Sequence, residues 1–252
     1  MNQINNYILS ILVLILSGCA SSTDNYDDPN DPYEAFNRAS YSFNKAIDSA
    51  ILKPVAKGYD AVTPEPVKIG VSNFFSNLGE LPTIFNDLLQ GKISDAFSDL
   101  GRFIINSTLG LAGLFDVATD LGLDENDEDF GQTLGAWGFE SGSYLMLPLL
   151  GPTTVRDLIG TPADGYLTFS ELVDHIPTRN TLYFLRLVDL RYRLLPIDAQ
   201  LEDALDEYTF VKDAFLMRRE YQVYDGNPPE DEDFYDDFYD DCEEDCDDDI
   251  ID

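Results

Sequence analysis

Apolar residues recur at three- and four-residue spacing along most of the chain. Residues with that spacing lie on one face of an α-helix. The pattern therefore predicts a mostly α fold that is built from amphipathic helices. The positions that define the predicted faces are Phe36, Ala39, Phe43, Ile47 and Ile51; Val71, Phe74, Phe75, Leu78 and Leu81; Ile84, Phe85, Leu88 and Leu89; Ile93, Ala96, Phe97, Leu100, Phe103 and Ile104; Leu182, Leu185, Val188 and Leu190; and Leu201, Ala204, Leu205, Tyr208, Val211 and Phe215.

Proline and glycine mark the expected helix boundaries. Pro54 is expected to end the first helix, because proline lacks an N–H and disrupts the preceding turn. Pro82 suits the first position of a helix, so we expect a new helix to begin there. Gly91 is expected to close that helix, since glycine readily adopts the left-handed conformation found after a helix end.

The predicted helix faces are wide and rich in phenylalanine. Such faces usually pack against other helices in a core. They also suit contact with acyl chains at a membrane surface. Interfacial helices normally carry Lys and Arg on the polar face, and that signal is thin here, so both interpretations stay open.

The segment at residues 130–155 has a different pattern. It is rich in glycine, contains a single charged residue, Glu140, and shows no helical period. Its apolar run at residues 144–150 is too short to span a bilayer, which takes about 20 residues. The run could form a buried strand or hairpin, line an apolar passage, or face another apolar protein.

The first residues of the chain resemble a lipoprotein signal. Residues 7–16 form an apolar run with the length of a signal-peptide core. The motif LSGC that follows resembles a bacterial lipobox, which implies cleavage before Cys19 and acylation of its thiol. The alternative is an ordinary secretory signal with an incidental cysteine, and residues 1–6 lack the usual Lys or Arg. Ala20, rather than Asp, resembles the pattern for sorting to the outer membrane. We therefore expect a signal peptide at 1–18 and a lipid-anchored tether at 19–30.

Charge is concentrated at the other end of the chain. The formal net charge is −33, and residues 220–252 contain 17 of the 48 acidic side chains and no basic one. Phosphate contacts need clustered Lys and Arg, so nucleic-acid binding is excluded. We expect a disordered acidic tail at 226–252, although its repeated Phe-Tyr pairs could dock on a basic partner. Cys242 and Cys246 could form a disulfide in an oxidising compartment or, less plausibly, a metal site.

The residue sets that carry common enzyme chemistry are absent. His175 is the one histidine, and no G-x-S-x-G or nucleotide-binding P-loop motif is present. Residues 124–129 look calcium-like, but Asp129 stands where an EF-hand loop needs glycine, so a solvated acidic loop is expected. The sequence favours binding or transport over catalysis and predicts no cofactor, no metal and no catalytic residue.

Several motifs, in order along the chain, resemble the MlaA (VacJ) family of outer-membrane lipoproteins. The similarity runs from about residue 31 to residue 221. The residues that carry it are DPYEAFNR at 31–38 with Phe43 and Asn44; Asn73, Phe74, Asn77, Leu78 and Pro82 with LLQG at 88–91; FIINSTLG at 103–110 with Gly113 and Asp116; and FGQTLG at 130–135 with Gly138, Tyr144, Leu147, Pro148, Gly151, Arg156 and Asp157.

The resemblance implies a domain at residues 31–225, with a ring-like arrangement of amphipathic helices around a channel and one glycine-rich apolar hairpin. It also implies a protein that is lipid-anchored in the periplasmic leaflet of the outer membrane. Such a protein removes misplaced phospholipids from the outer leaflet and passes them to a soluble periplasmic lipid carrier, which maintains lipid asymmetry. The implied partners are phospholipid, a trimeric outer-membrane porin and that carrier.

The resemblance places the mobile hairpin beside the channel in the glycine-rich segment. Gly135, Gly138 and Gly142 are then expected to be its flexible points. Trp137, Phe139 and Tyr144 are expected to contact lipid or porin. Glu140 stands where family members often carry glycine, which leaves the gating behaviour of the hairpin open. Two other functions stay possible: a lipoprotein that only scaffolds porins, and a lipid-acting hydrolase that uses His175.

Overall fold

A computed structural model of the chain describes residues 28–167 and 173–229. The predicted signal peptide, Cys19, most of the tether, and most of the acidic tail, including Cys242 and Cys246, lie outside the described residues.

The mostly α prediction is confirmed, with helices forming the bulk of the described residues. The longest helix, α3, packs along α4, and the C-terminal helix α10 packs against α6. None of the helices in the described ranges is both long and apolar enough to cross a membrane. The bounds are α1 Glu34–Ile47, α2 Lys53–Val62, α3 Glu65–Gln90, α4 Ile93–Thr108, α5 Val117–Asp120, α6 Phe130–Ala136, α7 Val155–Leu167, α8 Ile176–Arg193, α9 Asp198–Glu202 and α10 Glu207–Val223, with a short 3₁₀ turn at Leu195–Ile197.

Pro54 does not end the first helix, so that prediction is wrong. A π-helical turn at Asp48–Leu52 joins α1 to α2, and the Lys53 N–H donates to the carbonyl of Asp48. The turn shifts the backbone pairing by one residue just before the proline. Pro54 then falls in the first turn of α2, where its missing N–H costs little.

Pro82 does not begin a helix either, because it lies inside α3. Side chains next to the proline bond to carbonyls around it. Thr83 Oγ1 donates to the Gly79 carbonyl at 3.2 Å, and Asn86 Nδ2 donates to the Pro82 carbonyl at 2.9 Å. Gly91 does close the helix, with a left-handed φ of 80°.

The last predicted helix is broken in two. The stripe from Leu201 to Phe215 is split between α9 and α10, and Leu205 between them is fully exposed. Asp206 caps the new helix, since its side chain accepts from the Tyr208 N–H at 3.1 Å. A capping aspartate therefore overrides the apolar period at this point.

The segment at 130–155 contains a helix that its composition did not predict. Asp129 caps α6 by accepting from the Gln132 N–H at 2.8 Å. The apolar hairpin follows as β1 Tyr144–Leu147 and β2 Gly151–Thr154, which pair antiparallel. The hairpin is therefore shorter than the glycine-rich segment, and Gly135, Gly138 and Gly142 all precede its strands.

The acidic loop before α6 is more than a solvated loop, contrary to the expectation. Glu128 is buried and pairs with Lys92 at 2.8 Å, and Asp129 pairs with Arg219 at 2.7 Å. Across the described ranges no cluster of His, Cys, Asp and Glu has the arrangement of a metal site. The loop is therefore an ion-paired connection between helices.

Burial is inverted relative to an ordinary soluble domain. Among the described residues, the buried side chains include eight hydrophobic and 20 polar or charged ones, while many large apolar side chains are exposed. The apolar core is small and consists of Tyr144, Met146 and Tyr208, with Val211 and Phe215 packed on it. A buried polar interior with an apolar exterior is the kind of departure that calls for an explanation.

Candidate functional site

A cavity of about 500 Å³ lies beside the hairpin, between α1, the hairpin turn, the C-terminal end of α8, α9 and α10. We call it the hairpin cleft. Most of its wall is apolar, and charged side chains lie at one side. The apolar lining residues are Ile47, Leu52, Met146, Leu149, Leu150, Pro152, Leu194, Ile197, Leu201, Phe210, Val211 and Ala214.

Two asparagines of α1 hold the hairpin at the rim of the cleft. Asn37 Oδ1 accepts from the Met146 N–H at 2.8 Å, and Asn44 Oδ1 accepts from the Leu149 N–H at 2.7 Å. Both side chains also donate, to the carbonyls of Tyr144 and Leu147, at 3.1 and 2.9 Å. The side chains thus satisfy backbone groups that an edge strand would leave unpaired.

The hairpin turn projects two leucines. Leu149 and Leu150 are 71% and 80% exposed. Leu149 adopts a positive φ of 66°, a conformation that is unfavourable for a leucine and needs support from its surroundings. The hydrogen bond to Asn44 supplies part of that support. An apolar turn that is held in place yet left exposed is suited to contact another apolar surface.

The charged wall of the cleft is an ion-pair network. The Arg191 guanidinium bridges Asp48 and Asp198, with N–O distances of 2.7 and 2.9 Å. Lys53 also pairs with Asp198, at 3.0 Å, and Lys45 pairs with Glu207. Burial opposes ionisation of Asp198, but hydrogen bonds from Lys53 and Arg191 hold its pKa below the ordinary value. The network gives the cleft one polar side.

Three of the predicted site residues line a second cavity. Gly135, Gly138 and Phe139 contribute to a pocket of about 440 Å³ on the α10 side of the loop, together with Arg156 and Arg219. Burial opposes ionisation of Arg219, but hydrogen bonds from its guanidinium to Asp129 and Asp157 raise its pKa. The glycine-rich loop and the hairpin cleft are therefore neighbouring but separate features.

The three predicted flexible glycines differ in their surroundings. A Cβ on Gly135 would lie 2.8 Å from Val223 Cγ1 and 2.9 Å from Arg156 Nη1, so this glycine allows close packing. Gly138 has a φ of 91° and open space around it. Gly142 has a φ of 67°, and a Cβ on it would lie 3.1 Å from Val155 Cβ. Mobility of these positions stays a prediction.

The predicted aromatic residues also separate. Trp137 and Phe139 are 51% and 59% exposed, and Trp137 Nε1 donates to the Leu89 carbonyl at 3.1 Å. Tyr144 is fully buried, with its ring 6.0 Å from that of Phe215. Alternation along β1 directs Tyr144 and Met146 inward. In this conformation Tyr144 is a core residue, and its expected contact with lipid or porin stays a prediction.

His175 lies at the N-terminal end of α8. It precedes α8, is exposed, and its Nδ1 lies 2.8 Å from the hydroxyl of Thr178. In the described ranges no carboxylate hydrogen-bonds to this ring. The arrangement does not resemble a nucleophile, base and acid set.

Sequence reasoning missed the charged wall of the cleft. Asp48 and Arg191 are 143 positions apart, and neither stands in a recognisable motif. The leucines of the hairpin turn could have been found, because they belong to the apolar run at residues 144–150.

Comparison with known proteins agrees with this architecture. Residues 29–222 match the family described as MlaA lipoprotein. The intermembrane phospholipid transport system lipoprotein MlaA of Haemophilus influenzae is 34% identical over 228 residues, which is 87% of this chain and 90% of that protein. The protein of the same name from Escherichia coli K12 is 34% identical, over 84% of this chain and 86% of its own.

A solved structure is similar as well. It comes from work on the structural basis for maintenance of bacterial outer membrane lipid asymmetry, and its chain superposes with a TM-score of 0.69 at 33% identity. The match covers 77% of this chain and 98% of the other. The resemblance seen in the sequence motifs is thus confirmed over nearly the whole folded region, and the chain belongs to the MlaA lipoprotein family.

Proposed function

We propose that this protein is the lipoprotein component of an intermembrane phospholipid transport system. It removes misplaced phospholipids from the outer leaflet of the outer membrane and passes them to a periplasmic carrier. The observation that carries this proposal is the hairpin cleft, which combines an apolar wall with a charged wall next to an exposed apolar turn.

A phospholipid needs both kinds of surface along its route. Exposing its acyl chains to water costs about 0.8 kcal/mol per CH₂, so one side of the route must be apolar. Its charged headgroup needs polar partners when it leaves water. The leucines of the hairpin turn and the network around Arg191 meet these two needs within one cavity.

The inverted burial supports a membrane location. On α4 and the loop after it, Phe97, Leu109 and Phe115 are 68%, 68% and 59% exposed. Apolar patches of this kind mark surfaces that contact protein or membrane. We infer that these faces lie against acyl chains of the periplasmic leaflet and against a trimeric porin, while the lipid on Cys19 anchors the chain. A ring of helices around a channel is part of the same proposal.

The test is the amount of phospholipid exposed on the surface of intact cells, measured with a membrane-impermeant amine-reactive probe. Deletion of the gene should raise the signal, and the wild-type protein should restore it. Cys19→Ala should fail to restore it, because the anchor is lost. A chain stopped at Asn227 tests the acidic tail separately.

The cleft is tested in the same cells with Leu149→Asp/Leu150→Asp. We expect this variant to accumulate normally and to leave the surface phospholipid signal high. Leu205→Asp is the matched control, because Leu205 is a fully exposed leucine that does not line the cleft. Full rescue by the double variant would remove the cleft from the transport route.

The same experiment separates the rival functions. A porin scaffold that moves no lipid predicts no rise on deletion and no phospholipid bound to the purified protein. A hydrolase that uses His175 predicts that His175→Ala fails to rescue. We expect His175→Ala to rescue fully, since the ring is exposed and bonded to Thr178.

A further inference from the structure

Most cations of this chain form ion pairs within the described residues, and three do not. All 15 Lys and Arg residues lie in the described ranges, and 12 of them pair with a carboxylate. Lys57, Arg179 and Arg186 form no ion pair within those ranges. Lys57 is exposed, whereas Arg179 and Arg186 are half-buried on α8, Arg179 in its first turn and Arg186 in its middle.

Arg186 is partly removed from water, and none of the described residues forms an ion pair with it. Burial lowers the pKa of its guanidinium, a direction that opposes the charge it carries. Asp127, on the loop before α6, attracts it through space but is not in contact with it, and Asp127 pairs with Arg218 at 3.8 Å. Arg193, two turns along the same face of α8, repels it and pairs with Asp189.

An unpaired, half-buried charge is unfavourable. Carboxylates are not scarce in a chain with 48 of them, so the missing partner does not reflect composition. A guanidinium presents a rigid fork of donors that fits the oxygens of a phosphate. A bound phosphate would therefore supply the compensation that the described residues do not provide.

The surroundings of Arg186 indicate what carries the phosphate. Tyr183, Leu187 and Leu190 on the same helix are 43%, 44% and 41% exposed. Tyr183 lies one turn before Arg186 and Leu190 one turn after it, so both are on the same face of α8, and Leu187 borders that face. A cation flanked by exposed apolar side chains matches a ligand with one anionic group and long apolar chains. Free inorganic phosphate would contact Arg186 but would make no use of the apolar side chains beside it.

We propose that Arg186 binds the phosphate of a phospholipid headgroup while Tyr183, Leu187 and Leu190 contact its acyl chains. This inference rests on the proposed transport function and names a contact point on its route. It is distinct from the hairpin cleft, whose wall contains Arg191 in place of Arg186. Arg186 is a binding residue with no part in covalent chemistry.

The experiment uses the full chain purified in detergent and titrated with a short-chain phosphatidylethanolamine. The matching short-chain diacylglycerol, which lacks phosphate, and inorganic phosphate are titrated separately. Arg186→Gln should weaken phosphatidylethanolamine binding about tenfold, as loss of a charge-assisted contact predicts. Arg186→Lys should retain part of the affinity, and diacylglycerol binding should not change. Lys57→Gln is the matched control, an unpaired but exposed cation that should leave both affinities unchanged.

Three results would overturn the inference while the proposed function stands. The first is an equal affinity of Arg186→Gln and wild type for phosphatidylethanolamine. The second is an equal loss of affinity for phosphatidylethanolamine and for diacylglycerol in Arg186→Gln, which indicates a structural effect. The third is binding of inorganic phosphate to wild type that saturates at the same concentration as binding of phosphatidylethanolamine. If the wild-type protein binds neither lipid, both the inference and the proposed function fail.

Discussion

The interior between helices α3 and α4 is polar, whereas an apolar cluster lies behind the hairpin. Between α3 and α4, the buried Arg102 bonds to Glu80 at 2.8 Å and to Thr119 at 3.0 Å, while Asn106 bonds to Asp116 at 3.0 Å. The interior behind the hairpin is apolar, built on Tyr144 and Met146 against α10. Both regions present apolar side chains outward.

The difference shows what each kind of element needs in an apolar environment. A helix satisfies its own backbone, so its outer face can be apolar and its inner face can be specified by a polar network. A two-stranded hairpin leaves backbone groups unpaired at its edges, and here Asn37 and Asn44 bond to them. The polar network therefore fixes the frame, while the hairpin presents the cleft.

The largest expected effect on stability comes from a substitution that breaks the polar network around Arg102. Arg102→Met should destabilise the full chain by about 3–5 kcal/mol, because Glu80 would remain buried without its partner. Urea unfolding of the detergent-solubilised protein measures this change. Arg102→Met/Glu80→Leu is the control and should recover much of the loss. A single variant as stable as wild type would mean that the network does not hold the frame.

A smaller effect tests the packing beside the hairpin. Gly135→Ala should cost about 1–3 kcal/mol, because the new methyl group would overlap Val223 and Arg156. Gly79→Ala in α3 has open space and should be neutral or stabilising. Thermal unfolding compares the two helical glycines. Unchanged stability of Gly135→Ala would argue for the flexible role predicted from the sequence.

The pH dependence of stability sharpens the comparison, since buried carboxyl groups lie in the helical pair. Burial raises the pKa of Glu80 from 4.5 to about 7, against the opposing influence of Arg102. Burial also raises the pKa values of Asp87 and Asp99. The folded state then binds more protons than the unfolded chain between about pH 4.5 and 7, so the free energy of unfolding should fall as pH rises through that window.

The expected slope is at most about 1.4 kcal/mol per pH unit for each proton involved. Urea unfolding at several pH values measures it, and Asp87→Asn should flatten it. A stability that rises with pH across the window would contradict the assignment.

The smallest expected change in stability belongs to the loop before the hairpin. Gly138→Val should cost about 1 kcal/mol, because its φ of 91° disfavours any residue with a side chain. We expect a clear loss of transport in the surface phospholipid assay, with the domain still folded. Gly122→Val is the control, since Gly122 also has a positive φ and open space but lies outside the loop. Full transport by Gly138→Val would falsify the hinge prediction.

Much of the fold could be predicted from local patterns in the sequence. The apolar period predicted α4 and the end of α3 at Gly91, because periodicity and a left-handed glycine act within one or two turns. It failed at Pro54, where a π turn places the proline in the first turn of the next helix, and at Pro82, which lies inside α3. It also missed the break at Asp206, where a capping side chain outweighs a continuing stripe.

The sequence by itself determined that the chain is helical, that residues 144–150 are an apolar run, and which family its motifs resemble. The tertiary structure alone decided that the polar sides of α3 and α4 face inward, that Tyr144 is buried, and that Asp48 meets Arg191 at the cleft. Periodicity shows that a helix has two faces, but it does not show which face meets a neighbour. That choice depends on contacts between segments far apart in the chain, and such contacts leave no local signature in the sequence.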